Sequence, residues 1–431
     1  MNNPEQFDVV VIGAGPSGAL ASSLLVQKGW RVLVLEQQIF PRFTIGESLL
    51  PQCMEYLADA NLVAPLHEHA ASLGFQFKNG AAFHRAGENT AINFTEKSSP
   101  GPGTTYQVKR GLFDKLLADN AQLQGAVIRY QHSVKDYKVT DVFENSSDKG
   151  NTNKDSTDKN GGATLLVHDA QQQPYQVQAR FVLDASGFGR VLPKLLNLEL
   201  PSHFPVRSAY FSHFVDNISD ENFDRNKILI TVHPEHRDIW YWLIPFSDGT
   251  ASIGVVAESE RFNDDEADVM LNRFLEQDPH LKALLAKREL IGPARSITGY
   301  SSNVSKLYGQ HFALLGNAGE FLDPVFSSGV TIALKSASLI APLVDQYLKG
   351  ETIDFEQHYA KPLQAGVNCF RTFVTGWYDT RFQDVIFHTE QNKQVREMIS
   401  AILAGYAWDT SNPFVAQSER RLNVLAQLCR T

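Results

Sequence analysis

The sequence is poor in cysteine, with three such residues in a chain of 431. Cys53, Cys369 and Cys429 lie far apart and form neither a CxxC pair nor a metal-ligand spacing. A disulfide-stapled fold and a cysteine metal site are therefore excluded, and no metal is expected. We interpret the three cysteines as reduced thiols.

Long unbroken apolar runs and an excess of basic residues are missing as well. The apolar stretch 9–26 is interrupted by glycine, proline and serine and has no basic leader, which argues against a signal peptide or spanning helix. Lys and Arg number 39 against 48 Asp and Glu, and the net charge of −9 is unsuited to nucleic-acid phosphates. We expect a cytoplasmic protein with no membrane span and no nucleic-acid partner.

The rest of the composition is that of a globular enzyme. Hydrophobic residues make up 43% and charged residues 20% of the chain, and its length suffices for two or three domains. Residues 145–162 contain no apolar side chain and no periodicity. This segment is predicted to be a flexible loop without chemistry.

The N-terminal segment follows the order strand, glycine-rich loop, helix, strand. The run Phe7–Ile12 is short and β-branched, which predicts a buried parallel strand. Ala19–Lys28 is predicted to be a helix, and Arg31–Leu35 a second strand that ends at Glu36. This βαβ order within about thirty residues is the Rossmann pattern.

The loop between the first strand and the helix matches G-x-G-x-x-G. Gly13 permits the tight turn, Gly15 lets the backbone approach a pyrophosphate, and Gly18 allows close helix packing. Pro16 and Ser17 complete the loop, whose helix N-terminus favours phosphate. Glu36 is placed to accept hydrogen bonds from ribose hydroxyls. The alternative is a glycine-rich turn with a surface glutamate.

Further segments extend an α/β fold along the chain. The patterns indicate helices at 109–121 and 328–347, buried strands at 179–185 and 311–316, alternating strands typical of an antiparallel sheet within 204–256, and a helical region from 351.

The segment after the second strand carries a family resemblance. Residues 41–51, PRFTIGESLLP, resemble the G-E-S-L-L-P stretch of flavin-dependent halogenases, which belong to the p-hydroxybenzoate-hydroxylase-like FAD enzymes. Three other segments extend the match: 184–187 (DASG), 316–319 (GNAG) and 321–329 (FLDPVFSSG).

The resemblance implies how the chain is divided into domains. A Rossmann-type FAD-binding domain would comprise 1–72, 104–190 and 295–350, an antiparallel-sheet substrate domain 73–103 and 191–294, and a C-terminal helical cap 351–431. The residues assigned to FAD by the motif and the resemblance are Gly13, Gly15, Pro16, Ser17, Gly18, Glu36, Arg42, Glu47, Ser48, Arg110, Asp184, Gly316, Asp323, Gly329 and Val330.

Two of these assignments have specific consequences. The resemblance places Asp323 on the flavin ribityl chain and the helix N-terminus near Gly329 against the flavin carbonyls. Amides at a helix N-terminus would stabilise the anionic reduced flavin. For Arg42 and Arg110 the alternative to a cofactor contact is an ordinary solvated arginine.

Residues 240–245, WYWLIP, resemble the W-x-W-x-I-P signature of these halogenases, although Ile239 replaces the glycine that usually precedes it. The resemblance implies that Trp240 and Trp242 form a wall at the flavin face, which keeps organic substrate away while a halide can pass. The alternative is a strand buried on one face, which shows the same period of two.

Phe321, Pro324, Ser327 and Gly329 match the family's F-x-x-P-x-x-S-x-G. It implies a chloride or bromide site beside Pro324, at the backbone amides of Ser328 and Gly329. Oriented amides suit a halide because they supply positive potential without a proton to lose.

Lys78 resembles the family's catalytic lysine, which directs hypohalous acid or carries the halogen as a haloamine. Only a neutral amine can be halogenated, and burial favours the neutral form. The neighbouring Phe75, Phe77 and Phe83 indicate an apolar setting. A solvated lysine is the alternative.

Phe326 stands where tryptophan halogenases have a glutamate, which points to a more activated ring such as a phenol or pyrrole. In the family, such substrates are often thioesters on an acyl or peptidyl carrier protein. An acidic carrier would need a basic docking patch, for which Arg420 and Arg421 are candidates.

The predicted reaction uses FADH2 delivered by a separate flavin reductase, because no second dinucleotide fingerprint is present. Oxygen and halide then yield hypohalous acid, which reaches Lys78 and halogenates the ring. An FAD-dependent hydroxylase or reductase of the same fold would need neither Lys78 nor halide. A non-catalytic flavin-binding module is the third alternative.

Overall fold

The computed structural model describes residues 4–140, 161–202, 204–263, 265–389 and 392–430. Most of the predicted flexible loop 145–162 lies outside these residues; only Gly161 and Gly162 are described, and Gly162 begins a strand.

The strands of the described chain are, in order, β1 (Glu5–Ile12), β2 (Val32–Glu36), β3 (Gln76–Lys78), β4 (Gly80–Arg85), β5 (Glu88–Asn93), β6 (Thr105–Gln107), β7 (Val127–Tyr130), β8 (Ser133–Thr140), β9 (Gly162–His168), β10 (Pro174–Asp184), β11 (Glu199–Leu200), β12 (Arg207–Val215), β13 (Lys227–Val232), β14 (Trp240–Pro245), β15 (Thr250–Glu258), β16 (Glu289–Leu290), β17 (Arg295–Thr298), β18 (Asn303–Val304), β19 (Tyr308–Gly309) and β20 (Phe312–Leu314).

The α-helices are α1 (Pro16–Val26), α2 (Cys53–Asp59), α3 (Val63–His69), α4 (Arg110–Leu123), α5 (Val191–Leu195), α6 (Ala267–Gln277), α7 (Pro279–Leu284), α8 (Ser328–Leu348), α9 (Lys361–Tyr378), α10 (Arg381–Phe387), α11 (Lys393–Leu403), α12 (Pro413–Ala416) and α13 (Ser418–Cys429).

The first large sheet carries the predicted βαβ unit. Its strand order is β19-β20-β10-β1-β2-β7, and β8 and β9 extend it from β10. The pairs among β20, β10, β1, β2 and β7 are parallel. All five residues of β2 are buried: Val32 and Val34 pack in the main core, and Leu33 and Leu35 pack in a smaller core that includes residues of β8, β9 and α5. The Rossmann-type prediction is confirmed.

The helix after the glycine loop begins earlier than its sequence pattern indicated. Prediction placed its start at Ala19, whereas α1 starts at Pro16 with Gly15 as its N-cap. Proline suits the first helical position because its fixed φ is already helical and its missing N–H has no intrahelical partner there. The last residues of the loop are therefore also the first turn of the helix.

The second large sheet has the order β16-β12-β15-β14-β13-β4-β5, and β17 also pairs with β12. Its pairs are antiparallel except β13 with β4. The predicted antiparallel-sheet region is confirmed. The proposed domain boundary at residue 295 falls inside this sheet, since β17 belongs to it.

The alternative interpretation of the two tryptophans was a strand buried on one face, and β14 does not match it. All six residues of β14 are buried. Trp240, Trp242 and Ile244 face the main core, whereas Tyr241 and Leu243 face a second core built on α6 and α7. This strand is thus enclosed on both faces.

The helices α9–α13 form the predicted helical C-terminal region, which is confirmed. Among the described helices, α8 has the length and composition of a membrane span, with a mean hydropathy of 1.2. It packs in the main core, where 61% of its apolar window is buried.

The three cysteines are free thiols, and Cys53 and Cys369 are buried. No group of three His, Cys, Asp or Glu side chains in the described ranges has the arrangement of a metal site.

Candidate functional site

A cavity of about 400 Å³ lies between the two large sheets. The glycine loop and Glu36 line it from the first sheet, and Trp240 and Trp242 line it from the second. Of the residues predicted to bind cofactor or halide, those that line it are Gly13, Gly15, Pro16, Ser17, Glu36, Arg42, Glu47, Ser48, Arg110, Pro324, Gly329 and Val330. The two sets of predicted residues are therefore brought together at one site.

The glycine loop is held by contacts that leave no room for side chains. Gly13 has a φ of +97°, and a Cβ there would lie 2.6 Å from the carbonyl oxygen of Ala185. A Cβ on Gly18 would lie 2.0 Å from the carbonyl oxygen of Gly13. Gly18 thus shapes the loop from behind and does not line the cavity.

Two helices begin at this cavity. Gly15, Pro16 and Ser17 at the start of α1 line it, as do Ser327 and Gly329 at the start of α8. Neither first turn contains an acidic side chain. The first N–H groups of a helix have no intrahelical acceptor and carry partial positive charge, so both ends favour an anion. Ser328 is 1% exposed and does not line the cavity with its neighbours.

Glu36 is fixed by the backbone. Its Oε2 accepts from the N–H of Ala14 at 2.9 Å, and its Oε1 accepts from the N–H of Gln38 at 2.9 Å. A carboxylate oxygen can accept more than one hydrogen bond. The side chain therefore keeps acceptor capacity toward a ribose while it organises the loop.

Arg42 and Arg110 share one buried carboxylate that sequence reasoning missed. Asp114 accepts from Arg42 Nη1 at 3.1 Å and from Arg110 Nε at 2.8 Å. Asp114 is fully buried and Arg110 is 8% exposed, so the solvated-arginine alternative is wrong for Arg110. The four-residue spacing of Arg110 and Asp114 on α4 was the available signal.

Asp184 and Gly316 act behind the cavity. Asp184 accepts from the N–H groups of Ser186 at 2.9 Å and Leu192 at 2.6 Å, while burial raises the pKa of its carboxyl. Gly316 donates its N–H to Ser336 Oγ at 3.0 Å. Asp184 thus fixes the backbone that follows β10, and Gly316 ties the backbone that follows β20 to α8.

Asp323 also lies outside the cavity lining. It is 1% exposed, and its Oδ2 accepts from the hydroxyls of Tyr378 at 2.8 Å and Tyr300 at 3.2 Å. Its Oδ1 accepts from the N–H of Val325 at 3.2 Å. The carboxylate is occupied by tyrosines, and its contact with a ribityl chain stays a prediction.

Trp240 and Trp242 stand side by side on the cavity wall, with ring centroids 5.9 Å apart. Trp240 Nε1 donates to Tyr378 Oη at 2.8 Å, and Trp242 Nε1 donates to Ser252 Oγ at 3.1 Å. Gly254 makes space for the second indole, because a Cβ there would lie 2.3 Å from the Trp242 ring. Both rings are therefore fixed in orientation.

Lys78 is completely buried at the end of β3, which pairs with β6 in a small ribbon. Its Nζ donates to Ser48 Oγ at 2.6 Å and to the carbonyl of Leu49 at 2.7 Å. Burial lowers the pKa of Lys78 to about 7. The solvated-lysine alternative is wrong, and Ser48 connects this amine to the cavity wall.

The apolar setting of Lys78 differs in one member from the prediction. Phe75 and Phe83 are buried, but Phe77 is 44% exposed because its side chain points to the outer face of the β3 ribbon. The missed aromatic is Phe94, whose ring centroid lies 5.4 Å from Lys78 Nζ. Phe94 is distant in sequence and gives no local signal.

Glu47 joins the cavity to the second sheet. Its Oε1 lies 2.7 Å from Nε2 of His213, which sequence reasoning did not single out. Burial disfavours the charged imidazole, but the hydrogen bond and charge of Glu47 outweigh it and raise the pKa of His213. Glu47 Oε2 is buried and has no partner among the described residues.

A comparison with known sequences identifies the cofactor of this chain. Residues 6–277, more than half of the chain, match the sequence model of a family described as FAD binding domain. The chain belongs to this family. FAD is therefore the cofactor of this flavoprotein, as predicted.

Curated relatives of the flavoprotein are halogenases. It is 25% identical to the 1H-pyrrole-2-carbonyl-[peptidyl-carrier protein] chlorinase of Pseudomonas fluorescens, over 86% of this chain and 83% of the relative. It is 28% identical to the corresponding brominase of Pseudoalteromonas luteoviolacea, over 81% and 80% of the two chains. The predicted resemblance to flavin-dependent halogenases is confirmed.

A solved structure from Cytophaga hutchinsonii, described as a flavoprotein/dehydrogenase, is 38% identical to the flavoprotein with a TM-score of 0.90. The match covers 99% of each chain. It extends the shared fold through the C-terminal helices, which lie beyond the family match.

The residues of the cavity fit FAD. The glycine loop leaves a cradle without side chains, two helix ends present N–H donors for the pyrophosphate and the flavin, and Arg42 and Arg110 add fixed positive charge. Glu47 Oε2, which has no hydrogen-bond partner in the part of the chain that the structure describes, offers a buried acceptor on the same wall.

Arg420 and Arg421 lie on α13, far from these residues in sequence. They line a second cavity of about 640 Å³ together with Val424 and Leu428, which are 50% and 64% exposed. The two arginines thus border an open apolar groove of the C-terminal region.

Proposed function

We propose that this flavoprotein is an FADH2-dependent halogenase that uses O2 and chloride or bromide to halogenate an electron-rich aromatic ring. The observation that carries the proposal is the buried Lys78 amine, hydrogen-bonded to Ser48 on the wall of the flavin cavity. An amine that is fully buried and whose pKa is lowered to about 7 is partly neutral at physiological pH. A hydroxylase of the same fold would not need a buried neutral amine.

The proposed overall reaction balances as follows. FADH2, O2, halide, the aromatic C–H and one proton give oxidised FAD, the aryl halide and two waters. Bound reduced FAD supplies the electrons that activate O2 toward the halide. A separate flavin reductase provides the FADH2 by diffusion.

The protein's own residues divide the remaining tasks. The N–H groups around Ser328 and Gly329 at the start of α8 hold the halide. Trp240 and Trp242 keep the aromatic substrate away from the flavin. Hypohalous acid reaches Lys78, whose neutral amine either guides it or forms an N–X bond with release of water; the halogen then passes to the ring, which loses its proton.

Several features support an activated ring as substrate. Phe326 is 3% exposed and packs edge-on against Trp377 and Phe382, at centroid distances of 5.7 and 5.3 Å. An aromatic residue at this position supplies no carboxylate to take a proton from a less reactive ring. The names of two relatives add a pyrrole carried by a peptidyl carrier protein, which we extend to this chain as part of the proposal.

The test is turnover of the FAD-loaded protein with a flavin reductase, O2, chloride or bromide, and phenolic or pyrrolic acceptors, both free and carrier-bound. A halogenated product that requires halide is expected. Lys78→Ala should abolish that product while flavin oxidation continues. A hydroxylated product formed without halide would instead identify a monooxygenase.

A dehydrogenase or reductase is the second candidate, because the 38% identical relative is described as a flavoprotein/dehydrogenase. Flavin reduction by an organic donor in the absence of O2, unchanged by Lys78→Ala, would favour it. Bound FAD without turnover under any of these conditions would favour a non-catalytic flavin-binding module.

A further inference from the structure

The hydroxyl of Tyr378 connects two parts of the site that are distant in sequence. It accepts a hydrogen bond from Trp240 Nε1 at 2.8 Å and donates one to Asp323 Oδ2 at 2.8 Å. Trp240 belongs to the cavity wall, and Asp323 directly precedes Pro324, which lines the same cavity. Tyr378 ends α9 in the C-terminal helical region.

The two groups that Tyr378 joins are buried, whereas Tyr378 itself is partly buried. Trp240 and Asp323 are each 1% exposed. Arg207 stacks on the Tyr378 ring, with its guanidinium carbon 3.5 Å from the centroid, and its Nε has no partner among the described residues. Loss of the Tyr378 hydroxyl would leave the indole N–H of Trp240 and the carboxylate of Asp323, both buried, without this partner.

The residue before Tyr378 contacts the remaining parts of the site. Trp377 packs against Phe83, with a centroid distance of 6.0 Å, and edge-on against Phe326. Phe83 lies on β4, the strand that follows Lys78, and Phe326 lies in the loop 323–329, where the halide site is proposed. The end of α9 therefore contacts the cavity wall at Trp240, the loop 323–329 at Phe326, and β4, the strand after Lys78, at Phe83.

We propose that Tyr378 is a positioning residue that fixes the Trp240 indole relative to the 323–329 loop and so couples flavin oxidation to halogenation. The proposal rests on the proposed function. Rotation of the indole would open the wall, and FADH2 and O2 would then give FAD and hydrogen peroxide in place of the halogenating species that reaches Lys78. The family match ends at residue 277, so Tyr378 would act on the flavin site from a part of the chain outside the matched FAD-binding domain.

The test compares Tyr378→Phe with Tyr359→Phe in the full-length, FAD-loaded protein. Both changes remove one hydrogen-bonded phenolic hydroxyl from the C-terminal region, but Tyr359 donates to the carbonyl of Leu314, whereas Tyr378 joins Trp240 to Asp323. The matched control therefore reports the general cost of losing a buried hydroxyl.

The first measurement is independent of activity. In protein labelled with 15N-tryptophan, the indole N–H resonance of Trp240 is assigned with Trp240→Phe. We expect it to shift and to exchange faster with solvent in Tyr378→Phe but not in Tyr359→Phe. An unchanged resonance in Tyr378→Phe would overturn the proposed contact.

The second measurement is halogenated product per FADH2 oxidised. We expect about a fivefold fall in Tyr378→Phe, the factor that corresponds to one hydrogen bond of ordinary strength, and no fall in Tyr359→Phe. The double variant Trp240→Phe with Tyr378→Phe should match Trp240→Phe alone, because both changes act through one indole. Full yield in Tyr378→Phe, or additive losses in the double variant, would overturn the positioning role.

Failure of the two proposals can be told apart. If the wild-type protein gives no halogenated product with any halide, the proposed function is wrong and the coupling role falls with it. The Trp240 resonance would still decide whether Tyr378 fixes the wall. If the wild type halogenates and Tyr378→Phe does so equally well per FADH2, only the positioning role is wrong.

Discussion

The ammonium nitrogen of Lys78 lies 2.6 Å from the hydroxyl of Ser48, and Ser48 is itself part of the flavin cavity wall. Lys78 does not line that cavity. The amine thus stands one side chain behind the wall, where it is shielded from water but linked to the cavity through Ser48.

The pH dependence of halogenation should report the charge of Lys78. Its pKa is lowered to about 7, so the neutral fraction grows as pH rises through this value. If the neutral amine carries the halogen, the single-turnover yield should increase between about pH 6 and pH 8. A yield that falls over the same interval would contradict the haloamine route and favour an ammonium that donates to hypohalous acid.

Lys78→Met should stabilise the protein. A lysine whose folded pKa lies below its unfolded value of 10.5 is destabilising, fully so below pH 7, and the cost declines as pH rises from about 7 to 10.5. The rise in melting temperature on Lys78→Met should therefore be largest near pH 6 and shrink by pH 9.5. A gain in melting temperature that grows with pH would show that burial does not disfavour the charged form of Lys78.

Glu47→Gln should lower the pKa of His213. In the wild type, Glu47 raises it against burial and against the charges of Lys109 and Arg295, which all favour the neutral ring. The stability from this pair is fully present below pH 6.5 and is lost as pH rises through the folded pKa. NMR titration of the His213 ring checks the shift; an unchanged pKa in Glu47→Gln would contradict the pairing.

Reversal of charge at Arg420 and Arg421 tests the docking of a carrier protein. If an acidic carrier binds along α13, the double change to Glu should raise KM for a carrier-bound acceptor by about tenfold or more and leave a free acceptor unaffected. The matched control reverses Lys287 and Lys306, which are also exposed but lie elsewhere. Equal effects of both double variants would argue against a specific patch.

Local sequence patterns foresaw the parts of the site that local structure builds. The glycine loop, the strand of the two tryptophans and the loop 321–329 each combine a short motif with an element of definite period. Burial of Lys78 was also predicted. Phe77, one of the aromatic neighbours on which that prediction depended, is exposed because β3 belongs to a small ribbon with one exposed face.

What escaped prediction are partners that meet only through the tertiary fold. Tyr378 and Trp240 are 138 residues apart, and His213 and Glu47 are 166 apart. Neither pair leaves a periodic trace in the sequence. Likewise, nothing near Asp323 in sequence indicates that two tyrosines donate to its carboxylate; its contact with the cofactor stays a prediction.

The starts of α1 and α8 at one cavity, with no acid in either first turn, give the site an attraction for anions that no proton can switch off. Histidine and lysine nearby change charge across the physiological range, whereas peptide dipoles do not. Retention of an anionic cofactor should therefore outlast any change of pH that leaves the two helices intact. A change of pH can then alter the charge of Lys78 while the affinity of the neighbouring cavity for an anion is kept.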